Sequence, residues 1–121
     1  MDSMQNSKQY DLEPRTFEFA KSIRAFVRRL NKSVSNLEDG KQLIRSSGSI
    51  GANYIEANEA LGKKDFSMRI KICLKEAKES RYWLRLLDTQ HGSELQKEQA
   101  KLVKEADELL KIFSAILQKT R

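Results

Sequence analysis

From residue 14 to 32 the apolar positions Phe19, Ile23, Phe26, Val27 and Leu30 recur at steps of three and four, the period of one buried stripe on an α-helix. Lys21, Arg24, Arg28 and Lys32 fall on the opposite side of that helix, and Pro14 sits where its opening tolerates a proline. After the polar joint "NKSVSNLEDG", a second helix is expected over 37–61, burying Leu43, Ser47, Ile50, Tyr54, Ala57 and Leu61, with Gly62 as its stop. A third is expected over 64–89 on the stripe Phe66, Ile70, Cys73, Ala77, Leu84 and Leu87. The break "HGS" follows, and Ser93 with Gln96 reads as a capping box for a fourth helix carrying Leu95, Leu102, Ala106, Leu109, Phe113, Ile116 and Leu117. Short connections between four amphipathic helices predict an all-α, antiparallel up-and-down four-helix bundle.

The 121 residues suffice for one core, so we read a flexible segment over 1–13 and a single domain over 14–121. The hydrophobic fraction is only 39%, which leaves room for burial between subunits. The third helix carries a second apolar group, Met68, Ile72, Trp83 and Leu86, well around from its main stripe. This is either a subunit contact anchored by Trp83 or one side of a broad core stripe.

Net charge is +6, and its distribution changes the picture. Residues 63–87 hold eight Lys and Arg against three Asp and Glu, and residues 15–32 hold six against one. Lys71, Lys75, Lys78 and Arg85 line a third side of helix three with Tyr82 among them, as a phosphate-tracking, base-stacking surface would be built. The candidate nucleic-acid-binding residues are therefore Lys21, Arg24, Arg28, Lys32, Lys71, Lys75, Lys78 and Arg85, for RNA or DNA. The alternative is a solvated cationic face, or a scaffold that meets an acidic protein partner.

Catalytic patterns are sparse. One cysteine and one histidine do not make a zinc site, Cys73 lies in an apolar stripe, and His91 falls in a turn. "RSSGSIGAN", Arg45–Asn53, matches neither a nucleophile elbow nor a phosphate-binding glycine loop, and no strand precedes it. We expect no enzyme, no cofactor and no metal. Gly48 and Gly51 then read as places where another helix comes close, since each interior glycine costs roughly 0.5–1 kcal/mol against alanine. Arg45, Ser49, Asn53 and Glu56 form a polar ridge, either solvated or fixing register between helices or subunits. No secretory signal or membrane span is expected, so the site of action is the cytoplasm and no membrane is a partner.

The run "QLIRSSGSIGANYIEANEALGKKDF", Gln42 to Phe66, with "LKEAKESRYWLRLL", Leu74 to Leu87, resembles the small bacterial four-helix-bundle proteins named for reading frames in intervening sequences of 23S rRNA genes. Their signature reads approximately Q-L-x-R-S-x-x-S-I-x-x-N-I-A-E-G. Gln42, Leu43, Arg45, Ser46, Ser49, Ile50, Asn53 and Glu56 match it, with Phe66 and Ala77 downstream. Tyr54, Ile55, Ala57 and Asn58 depart from its end, implying a longer second helix. That family resembles in turn the accessory variability proteins of diversity-generating retroelements, pentameric rings of four-helix bundles that bind nucleic acid and a reverse transcriptase. The resemblance thus implies a ring-forming homo-oligomer, a pentamer, with a nucleic acid and a reverse transcriptase as partners. The assembly and packing residues on this reading are Arg45, Gly48, Ser49, Gly51, Asn53, Glu56, Met68, Ile72, Trp83 and Leu86.

Overall fold

The computed structural model describes residues 12–120, which form four α-helices: α1 Leu12–Arg29, α2 Val34–Asn58, α3 Lys63–Leu86 and α4 Ser93–Lys119. The expected N-terminal segment lies outside the described residues as far as residue 11. Helix α1 opens at Leu12 rather than residue 14, so Pro14 is its third residue, still within the first turn where its missing N–H has no helical partner. It also ends at Arg29, which leaves Lys32 on the connection.

The four helices make a bundle in which α1 packs on α2 and α4, and α3 packs on the same two. No Cα of α1 comes within 8 Å of one in α3, and none of α2 within 8 Å of α4. These are diagonal pairs, and their side chains meet in the middle: the Tyr54 and Phe113 rings stand 5.9 Å apart at 58°. Phe19, Ile23, Phe26, Leu43, Ile50, Ile70, Cys73, Leu84 and Leu109 close the core around them. The expected stripes are buried, or half-buried against the core at Val27, Phe66, Leu95 and Ile116, with one exception. Leu61 is fully exposed, because α2 stops three residues early, where Glu59 and Ala60 turn back on the Glu56 and Ala57 carbonyls.

Three helix ends differ from the expected ones by a few residues. Helix α2 begins inside the polar joint, where the Ser33 hydroxyl accepts from the Asn36 N–H. Gly62 stands at the start of α3, not as the stop of α2, and provides no side-chain cap. Ser93 is the first residue of α4 and does not cap it, because Gly92 occupies the N-cap position. Helix α3 ends at Leu86, and the Gln99 amide donates to the Leu84 and Leu87 carbonyls left open there, at 2.8 and 2.9 Å.

Two joints at one end of the bundle are tied by a single side chain. Asn36, 4% exposed, donates from Nδ2 to the Asn31 and Asp88 carbonyls and accepts at Oδ1 from the Asp88 N–H, at 3.0, 2.9 and 2.9 Å. It links the α1–α2 and α3–α4 connections. Ion pairs add cross-links along the sides: Arg15 grips Glu105 through Nε and Nη2, and Arg81 Nη1 reaches Asp107 at 2.6 Å.

Candidate nucleic-acid interface

All eight predicted cations are exposed, and the structure divides them into two groups. Lys21, Arg24 and Arg28 lie along α1 with Lys32 just beyond it; Lys71, Lys75, Lys78 and Arg85 lie along α3. Because α1 and α3 are diagonal, their outer faces look away from each other on opposite sides of the bundle. A single chain therefore does not gather the eight into one surface.

The α3 group is the freer of the two. None of its four cations makes an ion pair with a described residue, and Tyr82 beside them is 58% exposed with its ring edge-on to Trp83 at 5.1 Å. The nearby carboxylates are engaged elsewhere. Arg45 Nη2 lies 3.3 Å from Glu79 Oε1 and 3.7 Å from the buried Glu76 Oε1, so α2 draws the negative charge of α3 to its inner flank. On α1, Arg24 Nη1 donates to the Ala20 carbonyl at 3.0 Å, and the Lys21 ammonium stands 5.6 Å from the centre of the Phe17 ring. Phe17 and Ile55, 61% and 45% exposed, add an apolar patch beside this face. The helical periodicity singled out neither residue, since each sits off its buried stripe.

The glycine pair separates on inspection. A Cβ added at Gly51 would stand 2.9 Å from Thr16 Oγ1 and 3.4 Å from its Cβ, so α1 is the close neighbour there. One added at Gly48 would meet only the end of the Arg24 side chain at 3.4 Å. Close approach explains Gly51; at Gly48 the space for a methyl group exists. The small buried serines do similar work between α2 and α3, where Ser46 and Ser80 share a 2.8 Å hydrogen bond.

The polar ridge faces α3 for most of its length. Besides Arg45 on Glu79, Asn53 Oδ1 accepts from Arg69 Nη1 at 2.9 Å, and Asn53 Nδ2 donates to the Ser49 carbonyl and hydroxyl. Within the chain it fixes the register of α2 on α3; Glu56, at its end, is exposed. Arg69 completes the ridge and was missed because its partner is sixteen residues away in sequence. The second apolar group of α3 is mixed: Met68 and Leu86 are each 48% exposed, whereas Ile72 and Trp83 are half-buried. Trp83 packs against the core, its indole N–H buried without a hydrogen-bond partner among the described residues.

Burial pushes the Cys73 thiol up to about 12, so it stays protonated through the neutral range, its Sγ 3.4 Å from the Ile50 carbonyl. Among the described residues no three His, Cys, Asp or Glu side chains converge as a metal site would require, and no helix is long and apolar enough to cross a membrane.

The sequence matches the model of the 23S rRNA-intervening sequence protein family over residues 8–115. The chain belongs to this family. A crystal structure of a protein of unknown function from Bacteroides thetaiotaomicron, described as of the S23 ribosomal protein family, is similar to it at 30% identity. The alignment covers 87% of this chain and 96% of that one, with a TM-score of 0.71. No functionally curated protein matches. Membership of the 23S rRNA-intervening sequence family agrees with the four-helix architecture and brings no assigned activity.

Proposed function

We propose that the protein is a non-catalytic, self-associating bundle of antiparallel up-and-down helices that binds RNA or DNA through its cationic faces, as an accessory subunit of a cytoplasmic nucleoprotein complex. The observation that carries this reading is the α3 face: Lys71, Lys75, Lys78 and Arg85 are exposed and unpaired among the described residues, while Glu76 and Glu79 are drawn aside by Arg45. Such a line neutralises phosphates and makes few base-specific contacts, so it favours sequence-tolerant binding. The antiparallel arrangement is supported by contacts that join opposite helix ends: Ser67 with Thr120, Gln99 with Leu84 and Leu87, and Glu13 with Asn58.

The pentameric ring and the reverse transcriptase partner belong to this proposal through the resemblance to retroelement accessory proteins. A reverse transcriptase gene beside this one would support that branch, and a position inside a 23S rRNA gene would favour the other.

Charge reversal tests the binding surface. Lys71→Glu with Lys78→Glu and Arg85→Glu, and separately Arg24→Glu with Arg28→Glu, are each expected to weaken binding of a labelled RNA on the order of tenfold or more, the α3 set more strongly. Fluorescence anisotropy reads the change. Affinity unaltered by both sets in folded protein would end the proposal; binding only of an acidic protein, surviving nuclease treatment, would replace it with the scaffold reading.

A further inference from the structure

The outer side of α3 carries a pattern that the protomer's own core does not use. Met68, Ile72, Lys75, Glu79, Tyr82 and Leu86 follow one another at steps of four, three, four, three and four residues, the seam spacing of a helix that packs along another helix. Met68, Tyr82 and Leu86 are 48%, 58% and 48% exposed, Lys75 is exposed, and Ile72 and Glu79 are half-buried. The opposite side of the same helix already holds Ile70, Cys73, Ala77 and Leu84 in the core.

This seam is symmetric about residue 77. Met68 and Leu86 stand nine residues on either side of it, Ile72 and Tyr82 five, and Lys75 and Glu79 two. We propose that a second copy of this chain docks on α3 through a two-fold antiparallel contact. Met68 lies on the partner's Leu86, Ile72 on the partner's Tyr82, and Lys75 on the partner's Glu79, each pair occurring twice as two-fold symmetry requires. At the seam itself a parallel pairing in register would set Lys75 against the partner's Lys75 and Glu79 against the partner's Glu79, whereas the antiparallel one makes two opposite-charge contacts, with Glu79 shared between the partner's Lys75 and Arg45 of its own chain. Opposed helix dipoles favour the same sense. From Met68 to Leu86 the seam runs about 27 Å at 1.5 Å per residue.

Lys71, Lys78 and Arg85 each stand one residue before a seam position, on one flank. In the pair, Lys78 faces the partner's Lys78, and Lys71 faces the partner's Arg85. The cations of two protomers thus form one ridge whose mutual repulsion is relieved by salt or by a bound polyanion. The two faces that a single bundle holds apart on α1 and α3 are in this way replaced by a doubled α3 face. The inference rests on the self-association part of the function proposed above, not on its nucleic-acid part. A two-fold contact does not close a five-membered ring, so within a ring assembly it would join two rings.

Sedimentation velocity on nuclease-treated protein tests it with Lys75→Glu and Glu79→Lys. Each variant alone turns both opposite-charge contacts into like-charge ones, and its self-association is expected to weaken on the order of 10- to 100-fold, lowering the mass below the wild type's. An equimolar mixture of the two variants restores the mass, because each offers the charge the other lacks. Met68→Glu and Leu86→Lys form a second pair at another level of the seam, remote from the Arg45 contact of Glu79, and are expected to behave in the same way. Circular dichroism confirms that each variant is helical. Wild-type mass in all four folded variants, or mixtures that stay dissociated, would overturn the seam alone. A wild type at the 14.0 kDa of one chain would overturn self-association as well. Loss of RNA binding in Lys75→Glu with its mass unchanged would assign the face to nucleic acid and likewise overturn the seam.

Discussion

Gly51→Leu is expected to lower the unfolding free energy by about 3 kcal/mol, whereas Gly48→Ala, one turn earlier on the same helix, raises it by about 0.5 kcal/mol. The difference lies in what each new side chain meets. At Gly51 even the Cβ would stand 2.9 Å from Thr16 Oγ1, and Thr16 has no room to yield. It is 1% exposed, its hydroxyl donates to the Leu12 carbonyl at 2.7 Å and lies 3.1 Å from that of Glu13, and a β-branched side chain in a helix has few rotamers. At Gly48 the neighbour is the mobile end of Arg24 at 3.4 Å, so alanine gains helix propensity without a clash. Urea denaturation reads both signs. Thr16→Ala should shrink the penalty of Gly51→Ala in a double-mutant cycle; strict additivity would mean that the α1–α2 approach is not what Gly51 permits.

Asn36→Ala is the second large effect, a loss of about 2–3 kcal/mol. Removing the amide leaves the Asp88 N–H and the Asn31 and Asp88 carbonyls without their partner at one end of the bundle. Asn36→Asp distinguishes hydrogen bonding from size. A carboxylate cannot donate to two carbonyls, so the near-isosteric change should cost about as much as alanine. Thermal unfolding at neutral pH decides it, and an aspartate variant as stable as the wild type would contradict the clamp.

Much of the bundle was legible in the chain because its signal is local. The stripes of α1, α3 and α4 follow helical periodicity, and the residues they mark are the ones buried around Tyr54 and Phe113. The ends were harder. Ser93 matches a cap pattern, but the chain reaches it through Gln90 and His91 with φ of 54° and 62°, and that turn places the N-cap at Gly92. Leu61 fits the period of α2 and is exposed because the helix has already ended. Periodicity says nothing about where a helix stops.

The candidate interface was legible as charge and illegible as arrangement. Each cationic side could be read from spacing, but only the packing order puts α1 and α3 on opposite sides of the bundle. Asn36 gave no sequence signal, since its partners lie across two connections, one of them fifty-two residues away. Arg45 and Asn53 stood out as a ridge, while the residues that explain them, Glu79 and Arg69, belong to another helix.

The most direct test of the central claim is the affinity of the wild-type protein for a labelled single-stranded RNA measured across a salt series. With Lys71, Lys78 and Arg85 on phosphates, log K is predicted to fall against log salt with a slope of about −2, at roughly 0.7 per contact on a single strand, and to flatten when the three are replaced by glutamate. No measurable binding at low salt, or a slope near zero, would contradict it.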